Sequence, residues 1–330
     1  MKFFSINIDK KGVHVHFHHK LFLFLIIILL LTLSLAGFFL YQYLSVNYFD
    51  SSVSKNELQD LAPLSPPVDI QRQIQQIRLL VDKQASSAGT IQVGKTQIAT
   101  AEVVLRVPIL MYHYVEYVKD KNDKTRISLN TPPEVLEQEI KTLSDAGYTF
   151  MTTGELADCL EGKVQLPPKP VVLTFDDGYR DFYTYAYPIL KKYHAKATQY
   201  VISGFLGQSN HLLVSQLQEI AKDGLVEIGA HTVRHMWLKG LPLKVVSSEV
   251  FQSRVALEQL IKKPVISFAY PFGAFDNQTI EIVKAAGFRT SVSTLPGVEQ
   301  TQINKFFLFR LRPGGRVGQR LLNLLNQKTY

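Results

Sequence analysis

Apolar and polar positions divide the 330-residue chain into stretches of different character. Residues 21 to 41 carry no charged side chain. At about 1.5 Å per residue such a run reaches across a hydrocarbon core of about 30 Å, which predicts one transmembrane helix. A cleaved signal peptide has a shorter apolar region of about 7 to 15 residues. The small residues between Ser34 and Gly37, where a cleavage site would fall, lie inside the run. An uncleaved anchor is therefore expected. Residues 42 to 103 lose this character. Ser51 to Pro67, rich in Ser, Asp and Pro, reads as an exposed linker. Ile70, Ile74, Ile77 and Val81 then recur at helical spacing, predicting one amphipathic helix within a stalk.

From Val107 the pattern changes again. Short apolar runs predict strands at Val107 to His113, Tyr148 to Thr152, Val171 to Phe175, Ala197 to Ile202, Val226 to Ala230, Val265 to Tyr270, Arg289 to Ser293 and Phe306 to Leu311. Amphipathic segments at about 180–193, 213–223, 243–262 and 277–286 lie between most of them, and Thr153 to Glu161 reads as a short helix. Thr131-Pro132-Pro133-Glu134 has the form of a capping box with proline at the first helical position, opening a helix that stops at Gly147. Alternating β and α segments predict an α/β fold with a parallel sheet. About seven strands suggest a distorted (β/α) barrel, preceded by one transmembrane helix and a stalk. The expected organisation is a tail (1–20), the transmembrane helix (21–41), the stalk (42–103) and one catalytic domain (104–330).

Charge adds orientation. Lys2, Lys10, Lys11 and Lys20 outweigh Asp9 before the apolar run, whereas Asp50, Glu57 and Asp60 face Lys55 after it. The positive-inside rule puts the N-terminus in the cytoplasm and the rest of the chain outside the cell membrane. Net charge is +8, and after Glu299 the residues Lys305, Arg310, Arg312, Arg316, Arg320 and Lys328 meet no acidic residue in the sequence. This reads as a solvated basic face, or as attraction to an anionic polymer or lipid headgroups. No nucleic-acid motif accompanies it, so nucleic acid is not an expected partner. The single cysteine, Cys159, excludes intrachain disulfides and cysteine-based zinc sites, and is expected in the core. His14, His16, His18 and His19 form a His-rich tract that reads as interfacial polar side chains.

Candidate chemistry falls at strand tips. Val171 to Phe175 ends in Asp176, Asp177 and Gly178. Two adjacent carboxylates drive their pKa values apart or recruit a cation. His231 follows the Val226 strand, His113 ends the first strand, and Tyr270-Pro271-Phe272-Gly273 closes the Val265 strand. In a parallel barrel these tips share one mouth. His231 and His235 have the i, i+4 spacing that puts two imidazoles on one face of a helical turn. Two histidines and one carboxylate make a three-ligand metal site with a position open to water, as in catalytic zinc centres.

Thr174-Phe-Asp-Asp-Gly-Tyr179, His231-Thr-x-x-His235, Tyr270-Pro-Phe-Gly273 and Pro108-Ile-Leu-Met-Tyr-His113 together resemble the polysaccharide deacetylases of carbohydrate esterase family 4, over about residues 105 to 315. The resemblance implies a distorted (β/α) barrel and metal-dependent removal of acetyl groups from sugars. By motif position it implies Asp177, His231 and His235 as metal ligands and Asp176 as the base. Zn²⁺ fits this set, as do Co²⁺, Ni²⁺ or Fe²⁺. The backbone N–H of Tyr179 is expected at the oxyanion, with Tyr270, Pro271 and Trp237 toward the substrate. Many family members place the general acid on a late histidine, but no histidine follows His235 here. Met111-Tyr112-His113 is similar to a branch acting on poly-N-acetylglucosamine, which implies His113 as the acid. Met236 stands where proline is usual, and the third-motif arginine that orients the base has no counterpart in Tyr270 to Gly273; Arg310 or Arg312 is the candidate replacement. His194 and His211 read as surface residues.

The function expected from these readings is a membrane-anchored, metal-dependent deacetylase. It would remove N-acetyl groups from N-acetylglucosamine residues of a cell-surface exopolysaccharide or of peptidoglycan. Two alternatives are an O-acetyl glycan esterase and a catalytically weak glycan-binding module of the envelope.

Overall fold

In the computed structural model the described residues are 4–9, 12–17 and 103–326. The expected transmembrane helix, the stalk and the end of the His-rich tract lie outside them. Among the described residues no helix is long and apolar enough to cross a membrane. Near the N-terminus, where a tail was expected, β1 (Phe4–Asp9) and β2 (Gly12–Phe17) pair as an antiparallel hairpin with Phe4 opposite Phe17. It belongs to a separate compact unit.

The larger unit alternates strands and helices. After β3 (Leu105–Arg106) and β4 (Ile109–Tyr112) come α1 (Lys124–Leu129) and α2 (Pro133–Asp145), then β5 (Thr149–Met151), α3 (Thr153–Leu160) and β6 (Pro170–Phe175). A π-helical turn, Phe182–Ala186, runs into α4 (Tyr187–Tyr193). There follow β7 (Ala197–Val201), α5 (Val214–Asp223), β8 (Val226–Ala230), α6 (Leu243–Ile261), β9 (Ser267–Ala269), α7 (Asn277–Ala285), β10 (Thr290–Val292), β11 (Glu299–Gln300) and α8 (Gln319–Leu325). Seven strands form one parallel sheet in the order β10-β9-β8-β7-β6-β4, with β5 also on β6. The fully buried runs that predicted strands are these staves, because strands covered on both faces need no polar alternation.

Two expectations differ from the structure. Phe306 to Leu311 is not a continuous strand; it closes the barrel through two parallel bridges, Leu308 to Val292 and Leu311 to Leu110. Thr131 does not cap α2. Its N–H donates to the Tyr114 carbonyl at 2.9 Å, and the helix starts one residue later with Pro132 as its cap and Pro133 in the first turn. A working capping box sits instead at Thr152 and Glu155, opening α3. Cys159 is buried, as expected.

Candidate active site

β6 is buried along its length and delivers Asp176 and Asp177 at its C-terminal end. The Asp176 N–H continues the ladder to the Tyr112 carbonyl at 3.0 Å. The chain then turns sharply. Asp177 and Gly178 both lie in the left-handed region, at φ 75° and 74°. A β-carbon on Gly178 would stand 3.2 Å from Val201 Cγ1, so glycine fits the close approach to β7. The turn is tied to the next loop by Leu212 N–H on the Gly178 carbonyl (2.9 Å) and by Arg180 N–H on the Asn210 carbonyl (2.8 Å).

Arg310 reaches Asp176 from the closing stave. Its Nη1 and Nη2 each donate to one carboxylate oxygen at 2.8 Å, Nη1 also donates to Thr174 Oγ1, and Nε donates to the Ser293 carbonyl at 2.7 Å. Asp176 and Arg310 are both buried. Burial alone would raise the Asp176 pKa, but the Arg310 charge and its hydrogen bonds outweigh that and hold the carboxyl below its usual range. The planar fork suits this task, because it fixes both oxygens at once. Of the two candidates for the missing arginine, Arg310 is the one on Asp176.

His231 is fixed by two bonds. Its N–H donates to the Val201 carbonyl at 3.0 Å, and Nδ1 lies 2.7 Å from the Ala269 carbonyl. A carbonyl only accepts, so Nδ1 carries a hydrogen, and in the neutral ring Nε2 is the lone pair. That Nε2 points at Asp177 Oδ1, 3.3 Å away, and His235 Nε2 lies 3.2 Å from the same oxygen. The ligand atoms of Asp177, His231 and His235 all fall within 4.8 Å of one another, and Oδ1 of Asp177 is buried with no hydrogen bond. Acceptors converging in a buried place repel unless a cation or a proton sits among them. Burial disfavours an imidazolium here, but Asp177 and Asp176 outweigh it and raise the His231 pKa. The donor set therefore fits a divalent metal held by two imidazoles and one carboxylate.

The expected helical turn for His231 and His235 is not present. The segment after β8 is an irregular loop, with Thr232 and His235 in left-handed conformations at φ 66° and 57°. The His235 N–H donates to Thr232 Oγ1 at 2.9 Å. The imidazoles meet through this loop, with ring centres 4.9 Å apart.

His113 is partly buried, with Nε2 3.9 Å from Asp176 Oδ2. Burial lowers its pKa, Asp176 and Asp177 pull it up, and Arg310 and Arg312 push it down, leaving it below the usual histidine value. Tyr179 stacks on Tyr114 at 3.9 Å, the two hydroxyls joined by a 2.6 Å hydrogen bond. Beside them opens a cavity of about 230 Å³ that also touches Arg126, Asp181, Ser209 and Asn210. Trp237 is exposed and stacks with Phe272 at 6.0 Å. Tyr270 and Pro271 were expected toward the substrate. Both are buried, and the Tyr270 hydroxyl donates to the Phe306 carbonyl and accepts from Ser291.

Sequence reasoning passed over two neighbours. Phe272, exposed at φ 59°, lays its ring 4.5 Å from that of His235. His211, expected at the surface, is half-buried with its ring 5.1 Å from Tyr179. Left-handed non-glycine residues at a strand tip are a structural signal that no residue type announces.

Comparison with known proteins defines the class. A family model described as Polysaccharide deacetylase matches residues 163–291. YxkH of Bacillus subtilis, named for polysaccharide deacetylases, is 33% identical over 207 residues, which covers 63% of this chain and 71% of that protein. The chain belongs to the polysaccharide deacetylase family. The poly-β-1,6-N-acetyl-D-glucosamine N-deacetylase of Staphylococcus aureus is 28% identical over 188 residues, covering 53% of this chain and 64%, just under two thirds, of that protein. Among solved structures, the Streptococcus pyogenes deacetylase PplD in complex with acetate superposes with a TM-score of 0.62 at 30% identity, covering 68% of this chain and all of that one.

Proposed function

We propose that this protein is a membrane-anchored, metal-dependent deacetylase that removes N-acetyl groups from N-acetylglucosamine residues of a cell-surface polysaccharide. One observation carries the reading. A carboxylate fixed by Arg310 stands beside a second carboxylate that faces the Nε2 atoms of two imidazoles, all at one mouth of the barrel. The glycan is suggested by the name of the Staphylococcus aureus relative. The anchor rests on the apolar run at residues 21–41.

Asp177 Oδ1, His231 Nε2 and His235 Nε2 would hold Zn²⁺, or Co²⁺, Ni²⁺ or Fe²⁺. The bound metal supplies Lewis acidity, which lowers the pKa of water from about 15.7 toward 7. Asp176, kept ionised and in one orientation by Arg310, accepts the proton of the attacking water. The Tyr179 backbone N–H donates to the oxyanion that develops on the acetyl carbonyl. His113 donates to the departing amine nitrogen, which leaves poorly without a proton. Arg310 on Asp176 also removes one reason for the binding-module reading, which rested in part on the absent third-motif arginine.

Acetate release from N-acetylglucosamine oligomers tests the proposal. Asp176→Asn is expected to slow release by about 10² or more. His113→Ala is expected to slow amide substrates by a comparable factor and O-acetyl sugars much less. Rapid release from esters alone, indifferent to His113→Ala, would favour the O-acetyl esterase instead. No release from either substrate by the parent would defeat the enzyme reading.

A further inference from the structure

The loop from Thr232 to His235 carries one imidazole of the centre and has no regular secondary structure of its own. Thr232 and His235 hold left-handed conformations, each costing of order 1–3 kcal/mol unless the surroundings enforce it. The enforcement comes from α6. Glu249, buried within that helix, turns its carboxylate onto the loop. One oxygen, Oε2, accepts the Val233 N–H at 3.0 Å and the Arg234 N–H at 2.8 Å, and Oε1 accepts Arg234 Nε at 2.7 Å. The loop carbonyls are held from the other side. Ser203 N–H donates to Thr232 O at 3.1 Å and Gly204 N–H to Val233 O at 3.0 Å, where a β-carbon on Gly204 would come within 2.5 Å of that oxygen.

A charge in a buried position costs several kcal/mol unless its bonds repay it. The apolar residues on the same face of α6, among them Val246, Val250 and Leu257, already provide packing. The charge is directed at peptide N–H groups flanked by the two residues of strained backbone. His231 has its own orienting bond to Ala269, whereas the His235 backbone takes its position from the loop through Thr232 Oγ1.

We propose that Glu249 is a positioning residue of the centre: by gripping the Val233 and Arg234 N–H groups it sets the approach of His235 to Asp177, and so governs affinity for a divalent metal. The inference rests on the reading of Asp177, His231 and His235 as metal ligands. Glutamine at position 249 keeps the size but turns an amide donor toward a neighbouring donor, either the backbone N–H pair or Arg234 Nε.

Dissociation constants for Zn²⁺ and Co²⁺, measured by chelator competition on the full chain, test it. Glu249→Gln is expected to weaken both by about 10- to 100-fold, as loss of a group that supports a ligand does. Glu258→Gln on the same helix is the structural control. Its carboxylate accepts Arg254 Nε and the Val265 N–H, away from the centre, so its loss lowers thermal stability and leaves metal affinity unchanged. Should Glu249→Gln fail to fold, Arg234→Met probes the same clamp from an exposed residue, with a smaller loss of affinity expected. Unchanged metal affinity in whichever of these variants folds would overturn the proposal. A parent chain that binds no metal would take away the centre itself, whereas tight binding shared equally by parent and Glu249→Gln would take away only the clamp.

Discussion

Arg310 and Asp176 stand 134 positions apart in the chain, and both are buried. Removing one partner of such a pair leaves an uncompensated charge, which typically costs about 3–5 kcal/mol. Arg310→Gln is therefore expected to lower stability by that order and, by freeing the base to reorient, to cut turnover by about 10- to 100-fold. Arg310→Lys keeps the charge but not the fork, and should fall between. Thermal unfolding and acetate release measure the two effects, and full turnover in Arg310→Gln would contradict the role given to it. At this scale the site was half legible. Asp176, Asp177, His231 and His235 announced themselves because paired carboxylates and spaced imidazoles are rare at the ends of apolar runs. Arg310 sat in a row of basic residues with no local mark separating it from Arg312. Only the closing stave selects it.

Elements were legible where burial alone decides. The continuous apolar runs became β6, β7 and β8 with little change at their ends. Patterns failed where a tertiary partner competes with a local preference. The spacing of His231 and His235 suits a helix, but the backbone there is held by Glu249, Ser203 and Gly204 in a shape no periodicity encodes. Thr131 is drawn away from its capping role by the Tyr114 carbonyl. Helix α2 also hides a carboxyl group behind the strand that leads to His113. Glu139 is fully buried beside Tyr112, and burial pushes its pKa up to about 8, from an unfolded value of 4.5. Unfolded chains release this proton above about pH 4.5 while the folded protein keeps it to about 8, so the folded state loses ground across that window. Glu139→Gln is expected to remove a loss on the order of 3–5 kcal/mol between these limits. Denaturant unfolding at the two ends of the window reads it, and an identical pH dependence in parent and variant would contradict the assignment.

At the scale of the whole molecule, the basic C-terminal row is less free than its sequence suggested. Lys305 pairs with Glu161, and Arg310 is inside the barrel on Asp176. What a sequence reading could assemble was the shared mouth, because parallel topology makes distant strand tips neighbours. It could not supply the closure, since Leu308 and Leu311 bridge their neighbours singly and leave no strand-length signal. The anchor proposed at residues 21–41 belongs to this scale too: the full chain should stay with membranes through an alkaline carbonate wash, and a chain lacking that run should not.

The central claim is that Asp176, Asp177, His231 and His235 work as one metal-dependent hydrolytic centre. Its most direct test measures bound metal and acetate release together, on one sample of the purified chain titrated with a chelator and then with Zn²⁺ or Co²⁺. The account predicts that activity falls in proportion to metal removed, returns on reloading, and returns in neither His231→Ala nor His235→Ala. Full acetate release from metal-free protein would contradict it.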